Sequence, residues 1–357
     1  MTGVVLVVTH FPSPYQVELF DRIAQAHPDL VVAYLHRQDR DRQWSHGPMA
    51  HRALFFSDAG DRAVAASLNQ SAALVVYNYY QDRRLLELLR DRDQSGAPWT
   101  FWGERPGFKH PWLGRAARQF MLRRLHQSRR PIWGIGSWAV DAYRREFGNG
   151  RAYVNLPYFS DLDRHAAVAA SPREQQPLFV YSGSLSDRKG VDVLASAFQR
   201  LAHQDSRVRL RIVGKGKLEA QLRQTLAPLE DRVEMCGFKD WRDAPRAYAG
   251  AHFLCVPSRH DGWALVVPEG LAAGLPVIAT NRVGAALDLI TPGRNGWIVP
   301  AADADALFQT MAVAAALSVD EWKAMGAAAR SSVGSHSLTA GAAQFLEAAD
   351  QAIAASN

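Results

Sequence analysis

The sequence predicts an α/β protein built from two doubly wound parallel-sheet domains. Its 357 residues exceed the roughly 250–300 at which a single hydrophobic core stops growing. Short apolar runs alternate with segments of helical period in both halves, which is typical of βαβ units. A polar, proline-containing stretch separates the two series. We therefore predict a first domain at 1–160, a linker at 161–177, a second domain at 178–335, and a C-terminal helix at 336–357 that could cross back to the first domain.

The strand-like runs place functional groups at one edge of each predicted sheet. In the first half they are Val4–Val8, Leu30–Leu35, Leu74–Tyr77 and Trp99–Trp102. In the second half they are Leu178–Gly183, Val208–Gly214, Val233–Gly237, Phe253–Pro257 and Pro276–Thr280. Ligands of such sheets bind outside the carboxyl ends of the strands, where loops meet helix N-termini. Two facing domains would suit a reaction between two substrates across a central cleft.

Composition indicates a water-soluble protein of the cytoplasm. The chain is 48% hydrophobic and 21% charged, and no apolar run approaches the ~20 residues that span a bilayer. The apolar run at Val4–Val8 has no basic residue before it and no cleavage-like site after it, so it predicts a first strand rather than a signal peptide.

Positive charge is concentrated in the first half. The net charge is +6, and residues 100–151 contain eleven Lys or Arg against three acidic residues. Segment 112–126 mixes apolar residues with arginines, as does a helix that lies on an anionic membrane. A solvated helix face explains the same pattern equally well, so peripheral attachment to the inner face of the cytoplasmic membrane stays open.

Two sequence patterns are typical of other classes of protein, namely nucleic-acid-binding proteins and nicotinamide-dependent enzymes. Trp112, Phe120 and Trp133 are interleaved with arginines, as single-strand nucleic-acid binders require, but no nucleic-acid-binding motif accompanies them. Gly134-x-Gly136-x-x-Ala139 fits a dinucleotide fingerprint, yet no acidic residue ends a strand about 20 residues later. We therefore expect neither a nucleic-acid partner nor a nicotinamide cofactor.

Two carboxylates, Asp261 and Glu269, carry the clearest chemical signal. They are separated by seven residues and flank a loop that contains Gly262. A carboxylate accepts hydrogen bonds from a vicinal diol, such as that of a ribose or a hexose, whereas backbone N–H groups and a helix N-terminus suit phosphate. Together these groups suit a sugar nucleotide.

Further elements that suit a phosphate or a base follow other predicted strands of the second half. A turn at Gly183 and Ser184 is followed by Lys189, just before a helix, where a lysine can face a diphosphate. A Gly-x-Gly turn at Gly214 allows close approach of the backbone to a ligand. The sequence Gly237-Phe238 could hold a base against backbone and an aromatic ring.

The ordered series resembles the C-terminal domain of a known family. This is the large sucrose-synthase-like and mannosyltransferase family of retaining glycosyltransferases, family four, which has the GT-B fold of two Rossmann-like domains. The resemblance covers residues 178–302 closely. Its signature is a Glu-x7-Glu pair followed by an A-x-G-x-P-V-I turn, which stands here as Asp261-x7-Glu269 with AAGLPVIAT.

The resemblance implies roles for individual residues of the donor site. Glu269 would accept hydrogen bonds from the ribose hydroxyls, Asp261 would touch the transferred sugar, and Lys189 would hold the diphosphate. Ser184 stands where many members carry an arginine as a second phosphate cation, so that contact is either missing or supplied by Arg188. The loop Gly262, Trp263, Ala264 and Leu265 would contact the sugar and phosphate through its backbone.

The first half departs from the family at the expected histidine. That position falls near Gly103 or Glu104, so no catalytic histidine can be carried over. Glu104 and His10, each in the loop after a predicted strand, are candidate acceptor-side residues. Arg105 could meet an anionic acceptor or pair with a carboxylate.

The resemblance implies a mechanism without a protein nucleophile, and the placement of the Asp-x-Asp triplets leads us to expect no metal. The leaving diphosphate would be stabilised by cations and backbone N–H groups, and a donor phosphate oxygen would accept the acceptor's proton. Asp-x-Asp triplets begin at residues 39, 91, 161 and 303, but none ends an apolar strand as a metal-diphosphate site would. We predict transfer of a hexose to a saccharide or polyprenyl-diphosphate-linked acceptor in cell-surface polysaccharide assembly, with a soluble small-molecule acceptor as the alternative.

Overall fold

The computed structural model describes residues 3–38, 46–106, 119–170 and 176–355. The chain forms two compact units: unit 1 comprises residues 1–160 and 338–357, and unit 2 comprises residues 161–337. The triplet Asp39-Arg40-Asp41 and residues 112–118 of the basic segment lie outside the described ranges.

Unit 1 is built on a seven-stranded parallel sheet with the order β3-β2-β1-β4-β5-β6-β7. Its strands are β1 (Val5–Thr9), β2 (Leu30–Tyr34), β3 (Arg52–Phe55), β4 (Leu74–Tyr77), β5 (Trp99–Gly103), β6 (Ile132–Gly134) and β7 (Tyr153–Asn155). Strands β1, β2, β4 and β5 are buried along their whole length. Their continuous apolar sequences therefore suit a sheet covered on both faces.

The helices of unit 1 begin at residues that favour helix starts. Pro14 opens the first helix, and the side chains of Asp58 and Asp82 cap the second and third by accepting backbone N–H bonds. Such caps satisfy N–H groups that have no partner within the helix. The helices are Pro14–Ala26, Ala59–Ser71, Arg83–Gln94, Arg123–Gln127, Ser137–Phe147 and Leu338–Ala354.

The C-terminal helix Leu338–Ala354 packs within unit 1. Phe345 is fully buried, and its ring lies 6.0 Å from that of Trp102 and 5.3 Å from that of Trp133, edge to face in both pairs. At Gly341 a Cβ atom would stand 2.5 Å from the ring of Phe159, so a glycine is needed for this close approach. The helix therefore completes the core of the first unit.

Unit 2 contains a six-stranded parallel sheet with the order β10-β9-β8-β11-β12-β13. The strands are β8 (Leu178–Ser182), β9 (Arg209–Val213), β10 (Val233–Gly237), β11 (Phe253–Val256), β12 (Val277–Thr280) and β13 (Gly296–Val299). The helices are Asp163–Ala166, Val191–Gln204, Glu219–Leu226, Val266–Ala272, Gly284–Leu289, Ala304–Ala315 and Val319–Ser332. Two parallel α/β domains confirm the predicted fold class.

Within the described ranges, no helix combines the length and apolar character needed to cross a bilayer.

Candidate functional site

The unit 2 sheet has a topological switch point between β8 and β11. The chain proceeds outward from β8 to β9 and β10, and then returns to the other side of β8 to form β11. The loops after β8 and β11 therefore leave neighbouring strands in opposite directions, which is where ligands bind in open α/β sheets. Lys189 lies in the first of these loops and Asp261 in the second.

Gly190 allows the two loops to approach each other. Its φ of +66° is left-handed, and a Cβ atom there would stand 2.0 Å from the carbonyl oxygen of Pro257. The helix Val191–Gln204 begins at the next residue. Lys189 therefore stands at a helix N-terminus, where backbone N–H groups and the helix dipole favour an anion.

Lys189 and Asp261 form an ion pair at this switch point, with side chains that are 17% and 12% exposed. Arg188 lies beside the pair. Its Nη1 is 3.9 Å from Asp261 Oδ2 and donates to the carbonyl oxygen of His260 at 3.0 Å. An anion that enters this site must therefore compete with Asp261 for Lys189.

A second ion pair braces the same two loops. Arg259 donates to both carboxylate oxygens of Asp192 at 2.7 and 2.6 Å and to the carbonyl oxygen of Asp187 at 2.6 Å. The hydrogen bonds from Arg259 hold the pKa of Asp192 below its ordinary value. Because Arg259 follows β11 and Asp192 opens the helix after β8, the pair fixes the spacing between the loops.

The loop after β9 lies against the loop after β8 through glycines. A Cβ atom at Gly214 would stand 1.8 Å from the carbonyl oxygen of Gly183, and one at Gly216 would stand 2.3 Å from that of Leu185. Side chains at these positions would separate the loops. The predicted close approach of the backbone at Gly214 is therefore made to a neighbouring loop of the protein itself.

Ser184, Gly237 and Phe238 border these loops. Ser184 is exposed, and its hydroxyl lies 3.2 Å from that of Ser186. Gly237 ends β10 with a φ of +68°, and half-buried Phe238 follows it. The side chain of Lys215 passes 3.8 Å from where a Cβ of Gly237 would lie. A further cation therefore borders the edge that was predicted to hold a base.

The loop between Asp261 and Glu269 is tightly packed and strained. Ala264 has a φ of +69°, a conformation that costs a non-glycine residue about 1–2 kcal/mol. Trp263 is only 2% exposed, Leu265 is half-buried, and a Cβ atom at Gly284 would stand 2.1 Å from the carbonyl oxygen of Gly262. Backbone strain of this kind is concentrated at ligand sites.

Glu269 lies in the first turn of the helix Val266–Ala272. The Tyr248 hydroxyl is 3.5 Å from Glu269 Oε2, and His165 Nε2 is 3.8 Å from the same oxygen. Burial, followed by the charge of Glu269, raises the pKa of Tyr248 well above its ordinary value. The tyrosine therefore remains a hydroxyl donor.

His165 is a residue that the sequence reasoning missed. It lies in the helix Asp163–Ala166, inside the segment predicted as a linker. No motif or spacing pointed to it, because a single histidine in a polar stretch carries no chemical signal of its own.

Unit 1 has its own switch point, between β1 and β4. His10 follows β1 and stacks on Tyr79, which follows β4, with ring centroids 4.3 Å apart. His36 packs edge-on against His10 at 5.1 Å. Glu104 is exposed after β5, and its carbonyl oxygen accepts a bond from the Tyr143 hydroxyl at 2.5 Å. The two acceptor-side candidates, His10 and Glu104, thus follow strands that β4 separates.

The unit 2 edge can bind an anion and hydroxyl groups together. Lys189 supplies a cation at a helix N-terminus, whereas Asp261 and Glu269 supply acceptors for hydroxyls. In the part of the chain that the structure describes, no group of three or more His, Cys, Asp or Glu side chains could hold a metal ion.

Comparison with solved structures shows the class of this fold. HepE of Anabaena, solved in complex with UDP, superposes with a TM-score of 0.75 over 98% of this chain and 100% of that chain, at 15% identity. The fold is therefore GT-B, as predicted. Residues 176–316 match the family model for group 1 glycosyl transferases. The matched segment lies within unit 2, and it agrees with the resemblance of that half to a glycosyltransferase family that the sequence predicts.

Curated relatives match part of the chain. The glycosyltransferase WcaL of Escherichia coli K12, assigned to colanic acid biosynthesis, is 31% identical over 198 residues, which are 53% of this chain and 47% of that protein. The amylovoran biosynthesis glycosyltransferase AmsK of Erwinia amylovora is 34% identical over 141 residues, or 37% and 34% of the two chains. The chain thus spans half or less of the length of these relatives.

Proposed function

We propose that this protein is a retaining glycosyltransferase that moves a hexose from a nucleoside-diphosphate sugar to a saccharide or polyprenyl-diphosphate-linked saccharide. The observation that carries the proposal is the Lys189–Asp261 pair at the unit 2 switch point, within a domain of the group 1 glycosyl transferases. The names of WcaL and AmsK support a role in cell-surface polysaccharide assembly.

In the proposed reaction, the acceptor oxygen bonds to the anomeric carbon as the bond from that carbon to the diphosphate breaks. Lys189 neutralises the charge that develops on the leaving diphosphate, which is commonly the largest catalytic term. The acceptor's proton passes to a donor phosphate oxygen. Asp261, released from Lys189, accepts a hydrogen bond from a hydroxyl of the sugar. Glu269 accepts hydrogen bonds from the ribose hydroxyls. We expect no metal requirement, so a chelator should leave nucleotide affinity unchanged.

The acceptor is assigned to unit 1, where His10 and Glu104 are the candidate contacts. Phe120 is 74% exposed, and the Arg123 guanidinium lies 6.0 Å from its ring. An exposed aromatic ring among arginines suits the surface of an anionic membrane. We therefore propose peripheral attachment at the inner face of the cytoplasmic membrane, where a lipid-linked acceptor would be met.

The donor site is tested by calorimetric titration of wild type and Glu269→Ala with UDP, GDP and ADP in chelated buffer. One nucleotide should bind wild type, and the variant should bind it roughly ten- to a hundredfold more weakly, since a hydrogen bond to a charged group is worth about 1.5–3 kcal/mol. Equal affinity in the two proteins would contradict the assignment of Glu269. Absence of binding by all three nucleotides would contradict the proposed donor class.

Attachment to the membrane is tested separately by sedimentation with vesicles. Wild type should sediment with phosphatidylglycerol vesicles at low salt and remain free with phosphatidylcholine vesicles. Phe120→Ala should reduce sedimentation. Failure to bind either vesicle would favour a soluble acceptor and leave the donor-site proposal intact.

A further inference from the structure

His165 is a buried side chain directed at the carboxylate of Glu269. It is 3% exposed, and its Nε2 has no hydrogen-bond partner among the described residues. That atom lies 3.8 Å from Glu269 Oε2. A buried polar atom without a partner is costly, so its placement beside a predicted ligand-binding carboxylate calls for an explanation.

The other ring nitrogen shows which hydrogens the imidazole can offer. His165 Nδ1 lies 3.3 Å from the carbonyl oxygen of Asp161, and Nε2 faces Glu269 Oε2. A hydrogen on either ring nitrogen therefore has an acceptor in front of it. The ring therefore has one nitrogen anchored to backbone and the other directed at Glu269.

Two described side chains of unit 2 approach the same oxygen of Glu269. The Tyr248 hydroxyl lies 3.5 Å from Oε2, the oxygen that His165 also faces, and the rings of His165 and Tyr248 lie 5.6 Å apart. No described contact from these two residues is made to Oε1. The Glu269 side chain retains 17% exposure, so the carboxylate remains accessible to a ligand.

We propose that His165 is a positioning residue that holds Glu269 Oε2 from the buried side, together with Tyr248, and so presents Oε1 to vicinal hydroxyls of the ligand. This inference rests on the proposed function, because it takes Glu269 to bind the ribose. His165 itself does not touch the nucleotide, since its Nε2 is enclosed.

The inference predicts a loss of ribose recognition rather than a general loss of affinity. The probes are UDP, GDP and ADP with their 2′-deoxy and 3′-deoxy forms, measured by calorimetry. For the nucleotide that binds, wild type should prefer the ribose form by about tenfold, as expected for a hydrogen bond to a charged acceptor. In His165→Phe this preference should fall to about two- to threefold.

Matched amide variants separate positioning from packing. Glutamine places its amide nitrogen near the position of Nε2, whereas asparagine replaces Nδ1 and leaves nothing to face Glu269. Positioning predicts that His165→Gln keeps at least half of the wild-type preference, while His165→Asn loses it as His165→Phe does. A packing role predicts the reverse order, in which His165→Phe retains more of the ribose preference than His165→Gln does. That order would overturn the inference.

The experiment also distinguishes failure of this inference from failure of the proposed function. If Glu269→Ala loses the ribose preference while His165→Phe and His165→Asn keep it, Glu269 binds ribose and His165 does not position it. If wild type shows no preference for ribose, or binds none of the three nucleotides, the ribose contact itself is refuted and the inference falls with it. Thermal unfolding of each variant shows whether it is folded. If His165→Phe is not folded, the comparison of His165→Asn with His165→Gln tests whether His165 positions Glu269.

Discussion

Replacing Asp261 by asparagine should tighten the binding of a free nucleoside diphosphate. Asp261 forms an ion pair with Lys189, and both side chains are largely shielded from water. A diphosphate must share or displace this partner. Asparagine keeps the size of the side chain and removes its charge, so Lys189 becomes fully available to the anion.

The size of the effect follows from the geometry of the pair. A phosphate oxygen on the far side of Lys189 Nζ would lie about 5–6 Å from Asp261, the length of two charge-assisted contacts of about 2.8 Å. At an effective dielectric constant of about 20, two unit charges at that distance repel by about 3 kcal/mol. Screening by the ligand's own solvation and the loss of an anchor for Lys189 reduce this gain. We expect about 1–2 kcal/mol, or roughly a 5- to 30-fold lower Kd.

The assay is calorimetric titration of wild type and Asp261→Asn with the nucleoside diphosphate that binds. Asp205→Asn is the matched control, because it makes the same change in net charge. Asp205 pairs with Arg207 at 2.7 Å, before β9 and thus at the amino edge of the sheet. The control should leave the Kd unchanged, and sugar transfer by Asp261→Asn should fall because the sugar contact is lost. A Kd for Asp261→Asn equal to or higher than that of wild type would refute the idea that this carboxylate competes with the anion.

Two further predictions concern stability. Burial lowers the pKa of His51 below its ordinary value near 6.5, although the hydrogen bond that His51 donates to the Asp21 carboxylate acts in the opposite direction. As the pH falls below the ordinary pKa of histidine, His51 therefore binds a proton more readily in the unfolded chain than in the folded protein. The free energy of unfolding falls as a result. In urea unfolding, the difference in stability between wild type and His51→Gln should shrink from pH 7.5 to pH 5.5, and a constant difference would contradict the assignment. Phe345→Ala should destabilise unit 1 by about 3–5 kcal/mol, because it empties a fully buried position between two tryptophans; a loss below about 1 kcal/mol would show that the C-terminal helix contributes little to that core.

The buried strands could be predicted from the sequence because each is a continuous apolar run. Leu74–Tyr77 was predicted with its observed bounds, and Trp99–Trp102 differs from β5 by one residue. The edge strand β3 was missed. Its residues Arg52–Phe55 form a run of only four, of which one is exposed and one is buried, so the sequence contains no long apolar run there. Strand β13, Gly296–Val299, lies at an edge of the other sheet and was missed as well, because it is equally short and two of its four residues are only half-buried.

The candidate site was predicted residue by residue, but its internal pairing was not. Lys189 and Asp261 are 72 residues apart in the sequence, and only the strand order brings their loops together. The approach of His165 to Glu269 depends in the same way on folding over a long stretch of chain. Spacing along the sequence identifies which residues bear chemistry, whereas strand order decides which of them meet.

The return of the C-terminal helix to unit 1 has a consequence for the order in which the protein is made. In the sequence, the residues of unit 2 come between the two segments of unit 1, so all of residues 161–337 must be synthesised before Phe345 can cover Trp102 and Trp133. At about 5–20 residues per second this takes roughly 10–35 s. Unit 2 can therefore finish folding before unit 1, although its synthesis begins later. Until the C-terminal helix has been synthesised, Trp102 and Trp133 of unit 1 lack the covering side chain of Phe345.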